Sequence, residues 1–126
     1  MSYKTSLAKV RGLGSAHNGV EHWWLIRLSA LLLLPLIFWL LCYVNQLLFS
    51  SRFEILNWLA EPQNTFCAVA WIVVVFYHAL SGLQVIIEDY IPASGLKIAV
   101  IYITKISGWI LALASILVVL KIFLAR

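Results

Sequence analysis

The sequence predicts an all-α integral membrane protein with three transmembrane helices that form part of a heteromeric helix bundle. Of its 126 residues, 63% are hydrophobic and only 11% are charged, and the mean hydropathy of +0.98 lies far outside the range of soluble domains. Three apolar stretches are each long enough for the roughly 20 residues that cross a hydrocarbon layer of about 30 Å. Because three helices enclose a site poorly, we expect much of the apolar surface to pack on other chains.

The first transmembrane helix is predicted over residues 23–49, after a cytoplasmic N-terminal tail over residues 1–22. The tail carries glycines among small and basic residues and shows no apolar periodicity. Trp23 and Trp24 are typical of the headgroup region where a helix enters the membrane. The apolar stretch is too long for a signal peptide and is followed by no small-residue cleavage motif, so we expect it to remain as an anchor.

An outer loop with a short interfacial helix is predicted over residues 50–64, because its apolar side chains are set among charged ones. The second transmembrane helix follows over residues 65–90. Pro92 ends it, since the residue before a proline disfavours the helical conformation.

A cytoplasmic loop over residues 91–97 and a third transmembrane helix over residues 98–124 complete the chain. Lys97 and Lys105 lie two helical turns apart, and we expect both to extend to the cytoplasmic interface. The rest of this helix is a run of Leu, Ile, Val and Ala that predicts an anchor against lipid and partner chains.

The distribution of basic residues predicts a cytoplasmic N-terminus by the positive-inside rule. Six basic residues would then lie on the cytoplasmic side and three on the outer side: Lys4, Lys9, Arg11, Arg27, Lys97 and Lys105 against Arg52, Lys121 and Arg126. These cations flank the spans and form no continuous patch, so the net charge of +4 gives no reason to expect a nucleic-acid partner.

Several classes of chemistry have no support in the sequence. We find no nucleophile beside a base and no phosphate-binding glycine loop, and the spacing of Cys42 and Cys67 fits no zinc site. Both cysteines are expected within membrane spans as small apolar side chains.

His78 is the one histidine within a predicted span, and an ionisable ring at that depth requires a partner. A hydrogen-bonded structural residue, a proton relay and an axial haem ligand are all compatible with it. Asp89 follows eleven residues later, about three turns along and only about 20° round the helix, with a rise of about 16 Å. The ring therefore lies below the carboxylate of Asp89 and the phenol of Tyr90 at the membrane surface. Small residues after His78 (Ala79, Ser81 and Gly82) would let a neighbouring helix or a flat macrocycle approach closely.

Arg27, in the first turns of the first span, allows two interpretations. Its guanidinium either extends back to the interface or turns into the protein to bind a carboxylate or a quinone-like carbonyl, for which its forked donors are suited. Ser29, close by, is compatible with a hydroxyl bonded to its own helix backbone.

Two segments carry a resemblance to a known family. The run His78 to Tyr90, HALSGLQVIIEDY, resembles the signature of the smaller hydrophobic membrane anchor of succinate dehydrogenase, respiratory complex II, in which a histidine precedes an Asp-Tyr pair by this spacing. The run Gly14 to Ala30, GSAHNGVEHWWLIRLSA, is similar to the entrance of the first span in that family.

The resemblance implies roles for four residues. His78 corresponds to an axial ligand of haem b, which is shared with a histidine of the companion cytochrome b anchor subunit. Tyr90 corresponds to the phenol that donates a hydrogen bond to ubiquinone, and Asp89 to a carboxylate of the quinone site or its proton supply. Arg27 corresponds to an arginine near the haem propionates and the quinone pocket. His17 and His22 have no firm counterpart and are assigned to the interface or the propionate side.

The resemblance also implies the function: a membrane anchor of succinate:ubiquinone oxidoreductase that docks the iron-sulfur and flavoprotein subunits and does not itself oxidise succinate. A fumarate reductase anchor is an alternative within the redox class. A non-redox membrane protein, such as a transporter subunit or an assembly factor, is the alternative from another class. The expected location is the bacterial inner membrane, or else the mitochondrial inner membrane.

Overall fold

The computed structural model of the chain describes residues 16–125, with side chains from residue 19 onward. These residues form four helices: α1 (Ala16–Phe49), α2 (Arg52–Ala60), α3 (Pro62–Tyr90) and α4 (Ser94–Leu124). Three of them, α1, α3 and α4, are long and apolar enough to cross a membrane. The predicted all-α class with three transmembrane helices is therefore confirmed.

The first helix differs from the prediction at its start. It begins at Ala16, inside the predicted tail, and continues without interruption through Pro35 to Phe49. Each residue added to an existing helix gains a backbone hydrogen bond whether or not its side chain is apolar. The helix therefore extends beyond the membrane-spanning segment, and residues 1–15 of the predicted tail lie outside the described residues.

The short helix α2 forms where an interfacial helix was predicted, and a capping box begins it. The hydroxyl of Ser51 accepts a hydrogen bond from the backbone N–H of Glu54, and the Glu54 carboxylate accepts one from the backbone N–H of Ser51 at 2.6 Å. These bonds favour the charged carboxylate. The bond from the backbone N–H of Ser51 and, to a smaller extent, the bond with the Ser51 hydroxyl lower the pKa of Glu54 below its ordinary value.

A tight corner joins α2 to α3. Glu61 ends α2 and Pro62 begins α3. A proline costs nothing at this position, because the first N–H groups of a helix have no partner within it. Two side chains of α3 then reach back to the last turn of α2: Asn64 donates to the Trp58 carbonyl at 2.9 Å, and Thr65 donates to the Leu59 carbonyl at 2.6 Å. These bonds satisfy carbonyls that the end of a helix leaves unpaired.

Aromatic stacking attaches α2 to the first helix. The rings of Trp39 on α1 and Trp58 on α2 lie nearly parallel, with centroids 5.5 Å apart, and Tyr43 packs against Trp58 at 5.3 Å. Because α2 also contacts α3 and α4, it crosses the end of the bundle that is opposite to Tyr90.

The core of the chain lies between α3 and α4. Ile72, Ala112 and Val119 are buried there, and α3 also packs against α1 on its other side. The helices α3 and α4 pack tightly at Gly108, where an added Cβ atom would overlap the side chain of Leu80. The absence of a side chain at Gly108 thus lets Leu80 of α3 pack directly against the backbone of α4.

Most of the apolar surface is not covered by the chain itself. Within the most apolar segment of each long helix, only 11% of the residues of α1, 17% of α3 and 11% of α4 are buried. Large side chains such as Leu31, Phe38 and Leu113 are exposed. A surface of this kind requires lipid or partner helices around it.

Gly108→Ala should destabilise the chain by about 1–3 kcal/mol, because the added methyl group overlaps the side chain of Leu80, which is buried and must shift or change rotamer. Thermal unfolding of the detergent-solubilised protein would measure the loss. Gly95→Ala, in the first turn of the same helix, is the control, since its Cβ atom would meet open space. If the two variants unfold alike, the close contact at Gly108 does not hold the helices together.

Candidate functional site

A hydrogen bond between two long helices holds His78. Its Nδ1 lies 2.9 Å from the hydroxyl oxygen of Ser29, which joins the middle of α3 to α1. Ser29 is buried, with 5% of its surface exposed, and His78 is half-buried. The polar partner that a histidine at this depth requires is therefore a serine of the neighbouring helix.

The Ser29 hydroxyl has a second contact on its own helix. Its oxygen lies 2.6 Å from the carbonyl oxygen of Ile26, three residues earlier. The expected bond of Ser29 to its own backbone is thus present, and the contact with His78 is added to it. Among the described residues, Nε2 of His78 has no hydrogen-bond partner.

The small residues that follow His78 differ in their surroundings. Ser81 is buried, whereas Ala79 is exposed and Gly82 has open space where a Cβ atom would be. Gly82 lies four residues after His78, about 40° round the helix and about 6 Å along it. The chain therefore leaves an unfilled position beside the imidazole, on nearly the same side of α3.

Asp89 and Tyr90 lie in the last turn of α3, and both are exposed, Tyr90 to 81%. The helix is continuous from His78, which keeps Asp89 about 20° from the direction of the histidine and places Tyr90 about 120° away. Neither side chain forms a hydrogen bond or an ion pair with any other residue from 16 to 125. Both groups are thus available at the surface of the chain.

Glu88, by contrast, is engaged. Its carboxylate accepts a hydrogen bond from the Gln84 amide at 2.7 Å, and its backbone carbonyl accepts one from the Lys97 ammonium at 2.9 Å. Of the two adjacent acidic residues at this helix end, Glu88 secures the turn into α4, and Asp89 is the unpaired one within the described chain.

Arg27 is exposed, and its guanidinium carbon lies 3.9 Å from the centroid of the Trp23 ring, a cation–π contact one turn along α1. Ser29 follows two residues later, which is about 200° round the helix. Arg27 therefore projects from the side of α1 away from His78. Any further group that it binds must come from outside this pair of helices.

A polar cavity of about 200 Å³ lies among the three long helices towards the end that carries Tyr90. It is lined by one residue of α1, four of α3 and two of α4: His22, Tyr77, Leu80, Ser81, Gln84, Lys105 and Trp109. Gln84 has a buried carbonyl oxygen without a hydrogen-bond partner in the described chain. Lys105 thus lines a partly open cavity among the three long helices.

An open apolar groove of about 270 Å³ adjoins this cavity, with Tyr77 and Trp109 in both linings. Its other lining residues are Leu25, Leu28, Ser29, Leu32, Val73 and Val74. Of these lining residues, Ser29 is hydrogen-bonded to His78.

In the structure, one predicted site residue, His78, is hydrogen-bonded to a residue that was given no site role from the sequence, Ser29. His78 and Ser29 are brought together, whereas Arg27, Asp89 and Tyr90 do not contact His78 within the described chain. Gln84 was also given no role from the sequence, although a polar amide inside a span is a signal that could have identified it as a cavity-lining residue. His22 lines the polar cavity, and the side chain of His17 lies outside the described residues.

The capacity of the chain for metal binding is limited. Within residues 16–125, no three His, Cys, Asp or Glu side chains are close enough together to hold a metal ion. Cys42 and Cys67 are free and lie in α1 and α3.

Comparisons with known proteins agree with one another. Residues 1–120 match the family described as succinate dehydrogenase/fumarate reductase transmembrane subunit. The succinate dehydrogenase hydrophobic membrane anchor subunit of Rickettsia bellii is 32% identical over 118 residues, which are 93% of this chain and 94% of that protein.

Two further relatives extend the comparison. The corresponding subunit of Paracoccus denitrificans is 28% identical over 92% of this chain and 89% of its own. The succinate dehydrogenase membrane anchor subunit of Reclinomonas americana is 30% identical over 71% of this chain and 77% of its own. No solved structure matches the chain.

Proposed function

Because the chain belongs to the succinate dehydrogenase/fumarate reductase transmembrane subunit family, we propose that it is a membrane anchor of succinate:ubiquinone oxidoreductase that binds haem b through His78. The observation that carries the proposal is the state of His78 inside a membrane-crossing helix. Its Nδ1 is bonded to Ser29, and its Nε2 has no partner in the described chain. A neutral imidazole with one nitrogen held and the other free is suited to ligate a metal.

Haem fits these residues better than a bare metal ion does. The described chain has no cluster of three ligating side chains, and a porphyrin supplies four nitrogen ligands of its own. Beside His78, the open position at Gly82 leaves room for a flat group to approach the helix. The second axial ligand would come from a histidine of the companion cytochrome b anchor. When bound, haem b supplies a one-electron redox centre at this depth of the membrane.

The proposed quinone site consists of Asp89 and Tyr90. Both are exposed and unpaired within the described chain, at the point where α3 ends. The Tyr90 hydroxyl can donate a hydrogen bond to a carbonyl of ubiquinone, while its ring packs against the quinone head. The Asp89 carboxylate, at the membrane surface, can exchange protons with the cytoplasm and make them available to the reduced quinone.

Arg27 would act from the opposite side of α1. Its guanidinium is exposed and supported by Trp23, so its remaining donors are free to bind a haem propionate or a group of the quinone pocket that other chains complete. That arrangement requires a partner subunit against this face of α1.

The rest of the enzyme would lie in partner chains. Flavin and iron-sulfur chemistry require ligands that this sequence does not supply, so succinate oxidation belongs to the flavoprotein subunit, and electrons would arrive through the iron-sulfur subunit. The exposed apolar surface is suited to the companion anchor and to lipid. The N-terminus would be cytoplasmic, in a bacterial inner membrane, since the basic residues favour that orientation.

The alternatives carry less support. A non-redox transporter subunit or assembly factor does not account for the family match over most of the chain. The family description includes fumarate reductase, but the relatives from Rickettsia bellii, Paracoccus denitrificans and Reclinomonas americana are all named for succinate dehydrogenase.

His78→Ala should abolish or strongly reduce haem b in the assembled complex, because one of the two axial ligands is lost. A reduced-minus-oxidised spectrum of the purified complex measures it. Cys67→Ala is a matched control. Cys67 is also half-buried and lies on the same helix, about three turns before His78 and about 20° from its direction. An unchanged low-spin spectrum in His78→Ala would refute the assignment.

Arg27→Lys should lower both quinone reduction and haem retention, because a point charge replaces a planar fork that binds two oxygens at once. Steady-state quinone reduction and the haem-to-protein ratio are the measurements. Arg52→Lys, an exposed arginine at the other end of the bundle, is the control. Wild-type values for both quantities would indicate that Arg27 only extends to the membrane interface.

Tyr90→Phe should reduce quinone reduction by roughly tenfold or more. It keeps the ring and removes only the donor, and an unpaired buried carbonyl costs about 1–3 kcal/mol, where each 1.4 kcal/mol corresponds to about one decade in rate. The effect should fall mainly on the transition state, in which the oxygen gains negative charge.

The controls for Tyr90→Phe separate the site from assembly. Haem content and succinate oxidation with an artificial acceptor should remain near normal, and Tyr102→Phe, an exposed tyrosine on α4, should leave quinone turnover unchanged. A parallel loss of artificial-acceptor activity would assign Tyr90 to holding the complex together, and normal quinone turnover would exclude it from the site.

A further inference from the structure

We propose that Ser29 is a positioning residue that holds His78 with its proton on Nδ1 and so presents Nε2 as the ligand atom. This inference rests on the proposed function, since it concerns the same histidine. It assigns a task to a serine of α1 whose only hydrogen-bonded site group within the described chain is His78.

The position of the protons follows from counting donors and acceptors around Ser29. Its hydroxyl has one proton and two neighbours, the carbonyl oxygen of Ile26 at 2.6 Å and Nδ1 of His78 at 2.9 Å. A carbonyl oxygen can only accept, and 2.6 Å is within the range of an O–H···O bond, so the hydroxyl proton points to Ile26. The hydroxyl oxygen must then accept from Nδ1–H of the imidazole.

This arrangement leaves the lone pair of a neutral imidazole on Nε2. The two ring nitrogens point in divergent directions, so a bond from Nδ1 to α1 turns Nε2 away from that helix. Nε2 has no partner in the described chain. The ring is thus fixed in one tautomer and one orientation before any ligand arrives.

Burial makes the constraint effective. Only 5% of Ser29 is exposed, so water does not compete for the hydroxyl. The bond to Ile26 also polarises the hydroxyl, which makes its oxygen a better acceptor for Nδ1–H. A second partner of this kind orients the ligand and raises its basicity, and its removal typically costs about 10–100-fold in metal affinity.

The substitution Ser29→Ala removes the acceptor while leaving the helix intact. In the assembled complex it should raise the midpoint potential of haem b, because a less basic imidazole stabilises the ferric state less. Transfer of haem from the complex to an excess of a haem-scavenging globin should become roughly tenfold faster or more. Ser29→Thr, whose hydroxyl can also bond a preceding carbonyl in a helix, should restore both quantities.

Two other variants separate positioning from packing. Ser107→Ala removes a serine with the same kind of bond to its own helix, to the Thr104 carbonyl at 3.1 Å, but without a partner on another helix, and should leave the potential unchanged. Ser29→Cys keeps nearly the same volume with a weak acceptor and should behave like Ser29→Ala, which covers the case in which the alanine variant fails to assemble.

The outcomes distinguish this inference from the function on which it rests. If His78→Ala loses haem while Ser29→Ala and Ser29→Cys match Ser107→Ala in potential and haem transfer, the positioning task is refuted and the ligand assignment stands. If His78→Ala keeps its haem, the proposed function fails first. A stability loss in Ser29→Ala without a change in potential would make Ser29 a packing residue.

Discussion

Inside a membrane there is no water to bond a polar group, and this constraint organises the whole chain. Every backbone group must be satisfied within its own segment, which is why the spans are uninterrupted helices of 34, 29 and 31 residues. Three serine hydroxyls of the spans follow the same rule, since Ser29, Ser107 and Ser115 each donate to a carbonyl of their own helix. His78 and Gln84 depart from it: only one of the two ring nitrogens of His78 is bonded within the described chain, and the buried carbonyl oxygen of Gln84 has no partner there.

The two ends of the bundle differ in how completely the chain closes them. At one end α2 lies across the long helices, held by its capping box, by the stacked Trp39 and Trp58 rings, and by Asn64 and Thr65. At the other end a polar cavity remains open among the helices, and α3 finishes with exposed groups. The closed end is held by contacts within the chain, whereas the open end presents the donors, acceptors and charges on which the proposed quinone chemistry would depend.

Two glycines have opposite surroundings: one is packed against a neighbouring helix of the chain, and the other faces a space that the chain leaves open. The space beside Gly108 is filled by the side chain of Leu80, whereas Gly82 faces open space one turn from His78. The surface is apolar over most of all three spans, so the chain is stable only with lipid or other helices around it. A haem shared with a companion anchor would cover this open position and give His78 its missing partner, so cofactor binding and subunit assembly would support each other.

The sequence by itself determined the membrane class, the three spans and the break before Pro92, because these follow from local hydrophobicity and from the backbone chemistry of single residues. It also identified His78 as a histidine in need of a partner. Only the tertiary structure decided which residue that partner is. The rotation of α1 against α3 brings Ser29 to the ring and turns Arg27 away, and this rotation depends on side chains of both helices at once. In the same way, the pairing of Leu80 with Gly108 and the cavity around Lys105 arise from contacts between distant segments, which helical periodicity cannot specify.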